Sequence, residues 1–223
     1  MDGGHDVGGM QGFGAVVRAG SGAAYQQRWE PRVFALHLLI GAEGLGGQGP
    51  GGRPVREEMD PEHYLAASYY ERWLWSAEQI LLRAGTIATG EVDEMMQRLA
   101  DGEVAGEHHD DDMAQRIVGA LREPAPFLPP PTDATFGPGD RVRVKRMRPS
   151  GHTRCPRFVR GATGVVEAVR GADRLPDRTY YGQDVEPEPL YSVRFRSVDL
   201  WGPTQEPPWV VLLDMWDSYL EAA

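Results

Sequence analysis

Cys155 is the only cysteine of the chain and the first residue to consider for chemistry, since a thiolate can attack carbon or bind a metal ion. His152 lies three residues before it, but nucleophilic catalysis also needs a third group that orients the base, and no other residue of the sequence suggests one. We therefore interpret Cys155 as an inert, structural thiol. A single cysteine also excludes a disulfide within the chain and a metal site built from several thiolates of this chain alone.

A run of metal-type ligands, His108-His-Asp-Asp-Asp112, lies in the middle of the chain. The five residues are consecutive and precede a predicted helix. Acidic runs in that position commonly cap the helix and favour its positive N-terminal end. We therefore interpret the run as capping and solvating groups rather than as a metal site.

Residues 141–160 contain eight basic residues and no acidic one, a pattern that can bind nucleic-acid phosphates. The alternative is a solvated strand face that forms ion pairs with acidic neighbours. Residues 136–223 carry 13 basic and 12 acidic residues, and the whole chain of 223 residues has a formal charge of −10. This balance lacks the strongly basic footprint of a nucleic-acid-binding domain, so we expect no nucleic acid as a partner.

The remaining residues that could contribute to a functional site are aromatic: Tyr64, Tyr69, Tyr70, Trp73 and Trp75. Their helical spacing favours core packing, although an interface to a large partner uses the same residue types. The sequence contains no GxSxG, HExxH, P-loop or GxGxxG motif in a fitting context. From the residues alone it therefore predicts a folded protein without naming a reaction.

Helices are predicted for the first half of the chain. Residues 1–28 are rich in glycine and predict an extended arm, residues 29–40 predict a short helix, and residues 41–54 predict a flexible loop. Asp60 before Pro61 has the form of a helix start. The residues Ser68-Tyr-Tyr-Glu71 have the form of a capping box and predict a helix from there to Ala84, which Gly85 ends. Thr89 is predicted to cap a second helix. A third helix is predicted to contain Met113, Ile117, Val118 and Leu121.

Strands are predicted for the second half, after the stiff segment Glu123–Pro131. The predicted strands are Arg141–Lys145, Thr163–Val169, Tyr191–Arg196 and the buried run Trp209–Leu213. Short strands with Gly/Pro turns suggest a small barrel. We thus predict an α+β protein with an arm and helical domain at 1–123, a proline-rich linker at 124–135 and a β-barrel domain at 136–223.

No apolar run reaches the length of a membrane span, and the N-terminus lacks the basic and apolar regions of a signal peptide. The expected location is the cytoplasm.

Several segments of the sequence resemble segments of the nitrile hydratase β subunit. They are Met1-Asp-Gly-Gly-His-Asp-Val-Gly-Gly-Met-Gln-Gly-Phe-Gly14, Met59-Asp-Pro-Glu-His-Tyr-Leu65, Ser68-Tyr-Tyr-Glu-Arg-Trp73, Gly151-His-Thr-Arg-Cys-Pro-Arg-Phe-Val-Arg-Gly161 with Gly164, Tyr191-Ser-Val-Arg-Phe195, Leu200-Trp-Gly202 and Asp214-Met-Trp-Asp-Ser-Tyr-Leu-Glu221. The matches follow chain order and cover nearly the whole chain. Residues 41–58 and 100–135 match weakly.

This resemblance implies one subunit of a heteromeric lyase that hydrates nitriles to amides and is inactive alone. The implied partner is the nitrile hydratase α subunit, in an αβ heterodimer or an α2β2 assembly. The implied cofactor is a non-haem Fe(III) or a non-corrin Co(III), held by cysteines of that partner, two of them oxidised. The implied fold has an N-terminal arm that wraps the partner, a helical domain and an SH3-like barrel.

Two arginines of the β subunit bind the oxidised cysteines in this family. The Gly-His-x-Arg word places one at Arg154. The other lies six residues before Met59, at Arg53, and Arg56 is the alternative if the loop is shifted. Family members usually have an acidic, helix-like run before this arginine, whereas this chain has Gly-Gly-Arg53-Pro54.

The resemblance also assigns Tyr69, Tyr70 and Trp73 to the substrate pocket or to hydrogen bonds near the metal. His37 falls where some members have an aromatic pocket residue, which leaves the preferred nitrile open. Two alternatives remain at this point. One is a related subunit of thiocyanate hydrolase, and the other is a non-catalytic barrel module that binds RNA or delivers metal.

Overall fold

The structure, a computed structural model, describes residues 2–15, 24–47, 49–106, 109–122, 128–129, 134–203 and 207–223. The chain forms two compact units. The described parts of Met1–Val17, Asp60–Leu65 and Pro126–Ala223 make up the first, and those of Arg18–Met59 and Ala66–Ala125 make up the second. We call them the sheet unit and the helical unit.

The helical unit contains α1 (Glu30–Ala42), α2 (Gly52–Glu57), α4 (Tyr69–Ala84), α5 (Glu91–Ala100) and α6 (Asp111–Arg122); α3 (Pro61–Ala66) lies between α2 and α4 in sequence. Its small core is formed by Ile40, Val55, Ala77 and Ile80. These apolar side chains lie on α1, α2 and α4 and pack against one another. The predicted helices around 29–40, 70–84, 92–99 and 113–121 are therefore confirmed.

Helix α4 has the ends that its sequence predicts. The Ser68 hydroxyl accepts from the Glu71 amide, and the Glu71 carboxylate accepts from the Ser68 amide at 2.6 Å. Gly85 ends the helix in the left-handed region at φ 71°, where a residue without Cβ is favoured. The Asp60 carboxylate likewise accepts from the amides of Glu62 and His63 at the start of α3.

Two local predictions about the helical unit were wrong. The loop predicted for 41–54 gives way to helix α2 from Gly52, because Pro54 and Val55 are buried against the helical core and tertiary packing outweighs the glycine-rich composition. Helix α5 is capped by Gly90 in the left-handed region rather than by Thr89. Thr89 thus lies one residue outside the cap.

The sheet unit is built on a five-stranded antiparallel sheet in the order β4-β3-β2-β1-β5. The strands are β1 (Arg141–Val144), β2 (Thr163–Asp173), β3 (Glu188–Arg196), β4 (Val210–Trp216) and β5 (Leu220–Ala222), with short helices α7 (Pro176–Thr179) and α8 (Ser197–Trp201) between them. No ladder joins β4 to β5 in the described residues, so the sheet is not closed. The mixed helix and strand class is confirmed, and the SH3-like barrel is not.

The sheet packs its inward side chains into one core that includes Val142, Val166, Tyr191 and Phe195. Gly164 lies where a Cβ would come within 2.6 Å of Val193, so the close approach of β2 and β3 requires glycine there. Strand β4 lies at the sheet edge, and Val210 and Leu212 are exposed because alternate side chains of a strand point to opposite faces and theirs is not covered. The prediction of a buried run at 209–213 was wrong.

Residues 2–15 of the predicted arm belong to the sheet unit and contact its residues. The rest of the arm up to 23 lies outside the described residues, as do 107–108 and most of 123–133. The division at 124–135 and the wrapping of a partner by the arm stay predictions. No helix in the described ranges combines the length and apolar character of a membrane span.

Candidate functional site

Arg154 lies in the segment between β1 and β2, on a backbone that neighbouring elements hold in place. Its amide donates to the Tyr219 hydroxyl oxygen at 3.1 Å and to the Asp177 carboxylate at 3.3 Å. The side chain is exposed and has no hydrogen-bond or ion-pair partner among the described residues. The fold therefore presents, from a fixed backbone position, a guanidinium that no described residue binds.

The residues on either side of Arg154 are buried. The His152 amide donates to the Tyr181 hydroxyl at 2.8 Å, and the His152 ring packs edge-on against Tyr180 at 4.9 Å between centroids. The Cys155 amide donates to the Thr153 hydroxyl at 3.1 Å. These contacts turn His152 and Cys155 inward and Arg154 outward.

Cys155 is fully buried, and burial raises the pKa of its thiol to about 11. A protonated, inaccessible thiol is a poor nucleophile and a poor metal ligand. Its environment agrees with the interpretation of Cys155 as an inert thiol.

Tyr219 and Asp177 support the Arg154 segment, and the sequence predictions missed both. The Tyr219 hydroxyl donates to the Asp177 carboxylate, and burial together with that hydrogen bond raises the pKa of Tyr219 far above its usual value. Tyr219 belongs to the matched word at 214–221 and Asp177 lies in α7, so only the three-dimensional fold brings them to residue 154. No spacing in the sequence signals this contact.

Arg53 and Arg56 lie on consecutive turns of α2 but have different surroundings. Arg53 is exposed, with no hydrogen-bond or ion-pair partner in the described part of the chain. Arg56 is half-buried, and its guanidinium lies over the Trp73 ring at 4.4 Å from the centroid. Arg56 is thus engaged within the chain, whereas Arg53 is available to a partner.

Tyr69, Tyr70 and Trp73 form one aromatic group at the start of α4. Their ring centroids are 5.1 to 6.1 Å apart. Tyr69 is 60% exposed, while Tyr70 and Trp73 are half-buried. Tyr25 packs on Tyr70 at 5.4 Å and Phe34 packs on Trp73 at 6.0 Å, and both were missed because they are distant in sequence.

His37 joins this aromatic group from α1. Its Nε2 donates to the Trp73 carbonyl at 2.7 Å and lies 3.3 Å from the Ser76 hydroxyl. Burial lowers the pKa of His37, and the nearby Arg56 charge acts in the same direction against the backbone hydrogen bond. His37 is therefore a neutral hydrogen-bond donor at neutral pH, and it also lines an open groove of about 390 Å³ between α1 and α6.

The structure brings four of the predicted site residues together in the helical unit, with Arg56, the alternative to Arg53, beside them. The four are His37, Tyr69, Tyr70 and Trp73. Arg53 lies on the same helix as Arg56, and Arg154 lies in the sheet unit. The roles assigned to these residues stay predictions.

The three acidic residues Asp110–Asp112 act as a helix start. The Asp110 carboxylate accepts from the Met113 amide at 2.8 Å, and Asp111 and Asp112 lie in the first turn of α6, where the helix dipole favours negative charge. His108 lies outside the described residues. Across the described ranges, no three His, Cys, Asp or Glu side chains converge in a manner that would hold a metal ion.

Two family models match the chain. The model described as nitrile hydratase beta subunit, N-terminal, matches residues 1–119, and the model described as nitrile hydratase beta subunit, C-terminal, matches residues 126–222. Together they leave out only residues 120–125 and Ala223.

Full-length relatives carry the same description. Nitrile hydratase subunit beta of Pseudomonas putida is 33% identical over 224 residues, with 100% of each chain covered. The cobalt-containing nitrile hydratase subunit beta of Pseudonocardia thermophila is 32% identical over 99% of this chain and 96% of its own length.

Thiocyanate hydrolase subunit alpha of Thiobacillus thioparus is a more distant relative. It is 28% identical over 86 residues, which are 39% of this chain and 68% of that protein. The thiocyanate hydrolase alternative is therefore not favoured. Both family models and the full-length relatives agree, and the chain belongs to the nitrile hydratase β subunit family.

Proposed function

We propose that this chain is half of a hydro-lyase that converts nitriles to amides, and that an α subunit supplies the other half. The full-length match to both family models supports this role. The observation that carries the proposed contribution of this chain is the exposed guanidinium of Arg154, which has a fixed backbone and no partner among the described residues. A group held in this way is suited to a partner rather than to its own fold.

We propose that the α subunit holds the metal. The relative from Pseudonocardia thermophila is named as cobalt-containing, so Co(III) is one candidate and Fe(III) the other. The only thiol of this chain is buried and protonated, which makes it unsuitable as a ligand. When bound, such an ion supplies Lewis-acid chemistry toward the nitrile or a water molecule.

Arg154 and Arg53 are assigned to the oxidised cysteines of the partner. Sulfur oxygens that carry negative charge in a buried interface are costly unless they are paired. A guanidinium is always protonated and can donate two parallel hydrogen bonds to such oxygens. Both side chains are exposed and lack partners among the described residues, whereas Arg56 already stacks on Trp73, so Arg53 is the better candidate of the two.

Tyr69, Tyr70, Trp73 and His37 are assigned to the wall of the nitrile site. Exposed Tyr69 can donate its hydroxyl toward the reacting group, and Trp73 provides an apolar surface for the nitrile side chain. The neutral His37 holds the Trp73 backbone through its carbonyl and fixes the start of α4. Together these residues would orient the substrate.

We also retain the finer structural predictions as proposals. The strand order, which brings β5 beside β1, supports an SH3-like barrel. The complex is expected to be an αβ heterodimer or an α2β2 assembly in the cytoplasm, without nucleic acid.

The proposed function is tested by co-expressing the chain with an α-type subunit that carries a Cys-x-x-Cys-Ser-Cys word. We expect the purified pair to contain cobalt or iron and to release amides from nitriles, whereas the chain alone does neither. Amide release by the chain alone, or a metal-loaded pair that releases no amide from several nitriles, would contradict the proposal.

A further inference from the structure

Arg160 is a buried arginine whose guanidinium binds the backbone next to Arg154. Its side chain is 6% exposed. Its Nε and Nη2 donate to the Cys155 carbonyl at 3.2 and 3.0 Å, and its Nη1 donates to the Met147 carbonyl at 3.3 Å. Arg160 therefore holds the carbonyl of Cys155, the residue that directly follows Arg154.

The negative charges that balance Arg160 come from the N-terminal arm. The Asp2 carboxylate accepts from Nη1, and the Asp6 carboxylate lies 3.7 Å from Nη2 with its side chain 9% exposed. The Arg160 guanidinium lowers the pKa of Asp2, which keeps this carboxylate ionised. A buried guanidinium is costly unless such partners are present.

Asp6 also fastens the arm to the residues between Cys155 and Arg160. Its carboxylate accepts from the Arg157 amide at 2.9 Å, and its backbone carbonyl accepts from Arg157 Nη2 at 3.0 Å. A Cβ on Gly8 would lie 2.6 Å from the Phe158 ring, so the arm lies directly on this ring. The arm is thus held in one register along residues 157–160.

We propose that Arg160 is a positioning residue that couples docking of the N-terminal arm to the placement of the Arg154 guanidinium. Without the two carboxylates, Arg160 would be left as an unpaired buried charge and would turn toward solvent. The Cys155 carbonyl would then lose both of its donors, and the Arg154 backbone would be held only by the bonds of its own amide to Tyr219 and Asp177. The consequence for catalysis rests on the proposed function, whereas the coupling itself does not.

The test uses the co-purified complex with its α subunit. We compare the parent with Asp2→Asn/Asp6→Asn, with Asp2→Asn alone as a milder variant, and with Asp199→Asn as control. Asp199 pairs with Arg196 at 2.8 Å on the exposed surface of the same unit, so the control removes a carboxylate of equal chemistry whose ion pair does not involve Arg160. The readouts are amide hydrogen exchange and steady-state kinetics of amide release.

In the double variant we expect exchange at residues 152–155 to rise about tenfold, while exchange in β2 and β3 is unchanged. We expect kcat to fall about tenfold with KM within about twofold, because the aromatic residues assigned to the substrate are not altered. The single variant should show a smaller effect at the same residues, and the control should match the parent.

Unchanged exchange at 152–155 would overturn the coupling, and so would an equal rise throughout the sheet, which indicates general destabilisation. A local rise with unchanged kcat would overturn the positioning role. If exchange rises locally while the parent complex itself releases no amide, the proposed function fails and the coupling stands.

Discussion

At the scale of single residues, four arginines of this chain differ in whether their guanidinium groups bind within the chain or are exposed. Arg160 and Arg56 are engaged within the chain, the first by backbone carbonyls and carboxylates and the second by an indole ring. Arg154 and Arg53 expose their guanidiniums without partners in the described ranges. Matching residue types in the sequence cannot separate these classes, because the distinction depends on contacts from distant residues.

Arg154→Lys tests the role of the exposed guanidinium. An ammonium group keeps the charge but cannot donate two parallel hydrogen bonds, so we expect the complex to assemble and its turnover to fall about tenfold or more. Amide release by the purified complex measures this effect. Arg143→Lys, at an exposed position of β1, is the control and should leave turnover unchanged. Unchanged turnover in Arg154→Lys would remove this residue from the site.

Replacing Arg56 and Arg53 separately decides which of them is structural. Arg56→Ala removes the contact with Trp73, and we expect the free energy of unfolding to fall by about 0.5–2 kcal/mol. Arg53→Ala should leave stability unchanged and lower turnover. Urea unfolding and amide release measure the two effects. A variant pair with the effects exchanged would assign the partner's cysteines to Arg56.

The half-buried His37 predicts a pH dependence of stability. The unfolded chain takes up a proton near pH 6.5, whereas the folded chain resists protonation until lower pH because burial lowers the pKa of His37. Stability should therefore fall as the pH drops below about 6.5, and less so in His37→Gln. Urea unfolding between pH 8 and pH 5 measures both slopes. Equal slopes for parent and variant would show that His37 does not contribute.

At the scale of elements, helix ends were predictable where the signal is local. The capping box of Ser68 and the stop at Gly85 depend on residues within one turn, and the structure has both. Helix α2 and strand β5 were missed because they are short and are held by packing and by pairing with β1, which local sequence does not encode. The exposure of β4 was missed because the local sequence does not show which face of the strand is left uncovered.

Ser68→Ala tests the contribution of the capping box to α4. We expect a loss of about 1 kcal/mol, because the amide of Glu71 loses its acceptor. Thr89→Ala is the matched control, since Thr89 was predicted as a cap but Gly90 holds that position, and it should change stability by less than about 0.5 kcal/mol. Thermal unfolding compares the two. A larger loss in Thr89→Ala than in Ser68→Ala would contradict these cap assignments.

At the scale of the whole molecule, the family followed from sequence motifs, whereas the contacts that support the proposed site residues did not. Arg154 is recognisable from its matched flanks, but Tyr219, Asp177, Asp2 and Asp6 reach its segment only through the fold. The arm illustrates the limit further. Its glycine-rich composition predicts an extended segment, whereas its attachment to residues 157–160 depends on charges more than 150 residues away.

We propose that this chain provides guanidinium groups to a metal–thiolate centre whose ligands belong to its partner. The most direct test is a crystal structure of the assembled complex, in which the distance from the Arg154 guanidinium to the nearest oxygen on a cysteine sulfur of the partner is measured. We expect about 2.7–2.9 Å there, and a similar contact from Arg53. A complex in which neither guanidinium touches a sulfur oxygen would contradict the claim.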